Sequence, residues 1–222
     1  MLKLSAVLLL AALGAAPSFK PDLLWQEALT AHARAEAYGP GRTVILIQEL
    51  NAEGAVVSYE RGETRTLWRG ATPVVTLVAA EKNGKDASDE WKKRLARPSE
   101  GAGGPPEGFD ASPLIARYAE SVRLGESSFA ADGLRLPYTL KAGKAEATGT
   151  MRFSADGKLL AVEQRWTKLP ILVSAMSASY GYEYHDGALV VRALKIEAEA
   201  TILFIKKRFR MEFSFSDWQR KP

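Results

Sequence analysis

Phe209-Arg210-Met211-Glu212-Phe213-Ser214-Phe215 is the stretch on which the reading of this chain turns. Its apolar residues fall at every second position, with charged or hydroxyl side chains between them. Successive side chains of a strand point to opposite faces, so this is a half-covered antiparallel strand rather than a fully buried parallel one. Residues 140–218 repeat the pattern. Met151 and Phe153 share a face, with Thr150 and Arg152 opposite. Leu160, Val162 and Trp166 alternate with Ala161, Glu163 and Arg165, and Met176, Ala178, Tyr180, Tyr182 and Tyr184 with Ser177, Ser179, Gly181 and Glu183.

Asp156-Gly157 and Asp186-Gly187 punctuate these runs. Gly there supplies the positive φ of a tight hairpin turn. Pro170 interrupts, and the last strand is expected over 203–215. Strands of ten or more residues exceed the usual five or six, and a large sheet of them twists until it closes or wraps around something. The aromatic and Met lining of one face is then either core packed by a helix or a surface that also holds an apolar ligand.

The rest of the chain reads as what exports, covers or extends this sheet. Residues 1–18 carry Lys3, an apolar run over 4–13 and then small residues. That is the layout of a secretory signal peptide, too short to span a bilayer about 30 Å thick. Cleavage is expected after Gly14, Ala16 or Ser18. An Ala-rich helix over 23–38, with Asp22 as N-cap, presents Leu24, Ala28, Ala31, Ala35 and Tyr38 on one stripe. Gly39-Pro40-Gly41 is expected to stop it. A meander of about four strands follows, with turns at 51–54 and at Arg61-Gly62-Glu63. After a turn around Asn83-Gly84 comes a short charged helix over 88–96. Residues 97–108 are rich in Pro and Gly and read as an excursion within one domain, 19–222. A helical turn near 113–118 and strands over 120–128 and 134–141 lead into the C-terminal sheet.

The composition excludes several classes of function. There is no Cys in 222 residues, hence no disulfide, thiolate nucleophile or Cys-ligated metal. Thirty basic against 26 acidic residues give a net charge of +4, spread out except at Lys206-Lys207-Arg208 and Arg210. This is not a nucleic-acid-binding stripe; the cluster reads as a solvated strand end or an edge guard, with contact to an anionic lipid headgroup or an acidic partner as the alternative. The two histidines, His32 and His185, lack metal-ligand spacing. Glu197 and Glu199 share a strand face that reads as solvated, and the Ser174–Ser179 stretch as the polar side of a strand. No metal, cofactor, catalytic residue or nucleic-acid partner is expected. A hydrolase acting on envelope material is the third reading, and no constellation argues for it.

The order of parts resembles a known family. An exported leader, Ala-rich helix and strand meander come first, then Asn83-Gly84-Lys85, Gly108-Phe109-Asp110, Gly149-Thr150-Met151-Arg152-Phe153, the Pro170 break, and Phe215-Ser216-Asp217-Trp218. The layout is similar to that of the LolA-like superfamily of periplasmic carriers that sort outer-membrane lipoproteins. The resemblance implies an α+β, mainly antiparallel fold: an incomplete curved β-barrel of about eleven strands with helices covering the concave face. It implies a soluble, monomeric periplasmic carrier for a lipid or lipoprotein acyl chain, served by membrane-bound donor and acceptor proteins and using no cofactor. The expected lining is Met151, Phe153, Leu160, Val162, Trp166, Met176, Tyr180, Tyr182, Phe209, Met211, Phe213 and Phe215. The alternative is a non-transport envelope scaffold or interaction module whose sheet its own helices fill.

Overall fold

The computed structural model describes residues 20–70, 72–96, 112–169, 173–202 and 205–222. The leader expected over 1–18, the Pro/Gly-rich 97–108 stretch, the Gly108-Phe109-Asp110 motif and the Pro170 break lie outside them.

Twelve antiparallel strands form one sheet among the described residues. They are β1 (Tyr38–Leu50), β2 (Val56–Arg69), β3 (Thr72–Lys82), β4 (Lys85–Asp86), β5 (Val122–Leu124), β6 (Ser128–Ala130), β7 (Gly133–Ala142), β8 (Ala145–Phe153), β9 (Leu159–Lys168), β10 (Val173–His185), β11 (Ala188–Ile202) and β12 (Ile205–Arg220). The spatial order is β4-β3-β2-β1-β12-β11-β10-β9-β8-β7-β5, with β6 also on β7. Among the described residues the sheet is not closed. β12, 16 residues long, lies well inside it between β1 and β11. It pairs with β1 from Tyr38↔Arg220 to Leu50↔Arg208, so the first strand meets the last from one end of β1 to the other.

The tight turns follow local chemistry. Asn83 (φ 49°) and Gly84 (φ 75°) join β3 to β4, and Asp186 (φ 49°) and Gly187 (φ 78°) join β10 to β11. Two successive left-handed residues are what a two-residue hairpin with the right twist requires.

One row of paired residues crosses most of the sheet: Leu136↔Met151, Met151↔Val162, Val162↔Tyr180, Tyr180↔Leu194, Leu194↔Phe213, Phe213↔Ile45, Ile45↔Gly62 and Gly62↔Ala80. Directly paired residues point to the same side of a sheet, so these form one continuous face. α1 (Pro21–Ala33) packs near one end of the row. It buries Leu24, Trp25, Ala28 and Ala31 among residues of β7 to β11, including Leu136, Met151 and Val162. The Trp25 Nε1–H donates to the Pro113 carbonyl at 3.0 Å. α2 (Ser88–Ala96) packs at the other end, where Trp91 sits with Ala80 and Ala87 against Ile45 and Leu77.

Gly62 corrects one expectation. It is not a turn: β2 runs unbroken from Val56 to Arg69. A Cβ on Gly62 would run into the Trp91 ring, so the glycine is there for close approach of α2. Gly39-Pro40-Gly41 lies past the end of the helix, as expected, and belongs to the start of β1, with Pro40 opposite Trp218. The helix accordingly ends earlier than expected, as a 3₁₀ turn over Arg34–Ala37. Asp22 is not its cap; Lys20 holds that position without a side-chain cap bond, and Pro21 opens the first turn. The strand expected over 120–128 is a 3₁₀ segment, Ala116–Ser121, followed by the short β5.

Glu60 ties α2 to the sheet, accepting from Arg94 at 2.7 Å with Lys82 Nζ also 2.7 Å away. Hydrogen bonds from Arg94 and then Lys82 hold its carboxyl below the usual value of about 4.5. A carboxylate whose folded pKa is depressed contributes stability that is present above its unfolded value and lost as pH falls through the folded one. Hydrogen exchange at the α2 amides is therefore expected to report easier opening below about pH 4.5. Glu60→Gln should remove that pH dependence while leaving the β7–β9 amides unchanged.

Candidate functional site

Between the two helices the shared face is only half-buried. The strip comprises Leu194, Ile196 and Ala198 of β11, Phe209, Met211, Phe213 and Phe215 of β12, and Ile45 and Ile47 of β1. From Phe209 to Phe215 it runs roughly 20 Å at about 3.3 Å per residue, and three strands make it roughly 10 Å wide. Phe213 and Phe215 stack with ring centroids 6.2 Å apart and planes within 7°. At one end Lys207 Nζ lies 2.8 Å from Glu49 Oε1. At the α2 side Ile47 gives way to Glu60.

The side toward α1 is marked by tyrosines. Tyr138 donates to Gln164 Oε1 at 2.8 Å in the buried layer. The Tyr180 and Tyr182 rings stack at 6.3 Å. Burial pushes the Tyr180 hydroxyl up to about 12, and pushes Tyr138 and Tyr182 higher still. All three stay neutral, so this boundary presents hydroxyls and rings without charge.

The residues expected to line a binding surface divide into three groups. Met151, Phe153, Val162, Trp166, Met176 and Tyr182 are buried by the protein itself. Tyr180, Phe209, Met211, Phe213 and Phe215 are half-buried, the last four on the strip. Leu160 does not belong with them: Leu159 is 1% exposed and Leu160 is 42% exposed. The register slips between Arg152 and Phe153, so that Phe153 pairs with Leu159 and Arg152 with Ala161. Such a bulge reverses the alternation on which the expectation rested. Ile45, Ile47, Leu194 and Ile196 also line the strip, and alternation does not single them out. Val44-Ile45-Leu46-Ile47 is apolar at every position, so alternation could not say which side it presents.

The opposite face carries an ion-pair ladder. Glu197 lies 2.9 Å from both Arg210 Nε and Lys195 Nζ, and Glu199 lies 2.9 Å from Arg208 Nε. Hydrogen bonds from these partners, and from Ser174 to Glu199, hold both carboxyls below their usual range. That is the reverse of what a general acid working near neutral pH needs. His32 Nδ1 lies 3.0 Å from the Leu189 carbonyl and packs edge-on against Tyr182. His185 packs edge-on against Tyr38. Among the described residues no group of three or more His, Asp or Glu side chains is placed to hold a metal ion. No described helix is long and apolar enough to cross a membrane.

No family model matches this chain, and no curated protein matches it. Among solved structures, the crystal structure of MucB in complex with MucA(peri) matches at 8% sequence identity, over 89% of this chain and 99% of that one. The TM-score is 0.22, and at that value the likeness carries no argument.

Proposed function

We propose that this protein is a periplasmic binding protein that seats the acyl chain of a lipid or lipoprotein on the strip formed by β11, β12 and β1. The observation that carries the reading is the half-buried apolar strip left between two helix-packed regions of one continuous face. In this account α1 and α2 are partial lids on the concave side of an incomplete barrel. Membrane-bound donor and acceptor proteins load and unload the strip. The work is binding and hand-over, without cofactor or covalent chemistry.

The energetics suit such a role. Burying a methylene is worth about 0.8 kcal/mol, so a dozen give roughly 10 kcal/mol before ordering costs are subtracted. Uncharged tyrosines at one margin and Glu60 at the other keep the floor apolar while marking its limits.

A second reading, an envelope interaction module, draws on a specific observation. Met151, Phe153 and Val162 are already filled in by α1. The strip would then receive an apolar polypeptide segment instead. Native mass spectrometry of the purified protein, with lipid extraction, separates the two. Co-purifying acyl lipid is the expected result; a clean apo mass together with failure to bind a fluorescent fatty acid favours the interaction module.

A further inference from the structure

The two ends of the sheet are finished differently. At the β7 end, the three-residue strands β5 and β6 lie along the edge. At the other end β4 pairs only with Glu81 and Lys82 of β3. Residues 72–77 and 79 of β3 pair with β2 on one side, with a register shift at Val78, and residues 72–79 have no strand partner on the other among the described residues. This open edge carries no charge from Thr72 to Ala80. Val75 and Val78 are 46% and 50% exposed, and Leu67, which pairs with Val74, is 60% exposed. Sheets ordinarily guard such an edge with lysines or a covering element, because its free N–H and C=O groups invite another strand.

We propose that the β3 edge joins the same edge of a second copy of this chain, antiparallel about a two-fold axis at Thr76. In an antiparallel ladder both main-chain polar groups of a residue point to the same side, and alternate residues point opposite ways. Pro73 has no N–H to give and is tolerated where that position faces the open side. Val75 and Leu77 then face outward with it. An axis at Thr76 sets Val75 against the copy's Leu77 and Leu77 against the copy's Val75, using the N–H and C=O of each. The side-chain pairs on the regular part of the strand are Val75 with Leu77 and Thr76 with Thr76, both favourable across antiparallel strands.

Charge selects the same arrangement. Antiparallel pairing brings the Arg69 end of each copy beside the Glu81 end of the other, while Lys82 is already engaged by Glu60. Parallel pairing would set like ends together. The contact is an isologous one, self-complementary and closed. It uses none of the strip residues, so it stands or falls independently of acyl-chain binding.

Sedimentation velocity on the purified chain, over a concentration series reaching about 100 μM, tests it, because small interfaces give dissociation constants near the micromolar range. The expected result is a reversible monomer–dimer equilibrium. Thr76→Lys, which sets two like charges on the axis, should weaken it roughly tenfold or more. Mixing Thr76→Lys with Thr76→Glu should restore a dimer, which a folding defect in either variant would not do. A wild-type chain that stays monomeric throughout, or a Thr76→Lys variant that dimerises as well as wild type, overturns the proposal.

Discussion

Phe153→Ala is expected to lower the folding free energy by about 3–5 kcal/mol, the usual cost of truncating a buried aromatic. Phe153 is 1% exposed, pairs with Leu134 on β7 and Leu159 on β9, and belongs to the cluster that receives α1. The loss comes from the transfer of its ring and from the cavity left beneath the helix, which neighbouring strands cannot close without giving up their register. Domains have about 5–15 kcal/mol in total, so this substitution removes a large share. In a chain of this size the melting temperature should fall by about 10 °C. Phe213→Ala, on the half-buried strip, should cost markedly less. Equal losses at the two positions, measured by chemical denaturation, would mean that the strip is as tightly packed as the core.

Gly149→Val is expected to be comparably severe for a different reason. A Cβ at this position would collide with the Glu163 carbonyl of the neighbouring strand and with the Tyr138 hydroxyl. The carbonyl belongs to the β8–β9 ladder and cannot move without loosening it. The hydroxyl can move only by breaking its hydrogen bond to Gln164. Overpacking of this kind costs about 1–3 kcal/mol, and a lost hydrogen bond about 0.5–1.5 kcal/mol more. Removing the hydroxyl with Tyr138→Phe should recover part of the penalty. If Gly149→Val is no worse in one background than in the other, the tyrosine is not a partner in the clash.

Much of the sheet is legible in the sequence because its strands announce themselves locally. The alternation through Phe209, Met211, Phe213 and Phe215 and the Asp156-Gly157 and Asp186-Gly187 turns depend on nearby residues alone. What was not legible depends on distant ones. Gly62 offers the cue a turn would offer, yet it is bare to admit Trp91 from a later helix. Gly39-Pro40-Gly41 reads only as a helix stop until β12 is present to pair with it. Leu160 reads as an inward residue because the bulge beside it is a property of two strands together.

The candidate site shows the same division. Its aromatic positions on β12 can be read from period two. Its floor on β1 cannot, because Ile45 and Ile47 lie in Val44-Ile45-Leu46-Ile47, a run apolar at every position. Nor does alternation separate Met151 and Phe153 from Phe213 and Phe215. That separation is made by where α1 docks, with Trp25 bonded to the Pro113 carbonyl.

Titration of a fluorescent fatty acid into three proteins tests the strip most directly: wild type, Phe213→Ser, and Leu160→Ser as a control on the opposite face. Saturable binding to wild type and Leu160→Ser, lost or weakened at least about tenfold in Phe213→Ser, is the predicted result; tenfold corresponds to about 1.4 kcal/mol, near the low end of what burying one large apolar side chain supplies. Absence of binding to wild type, or equal binding by all three proteins, contradicts the account.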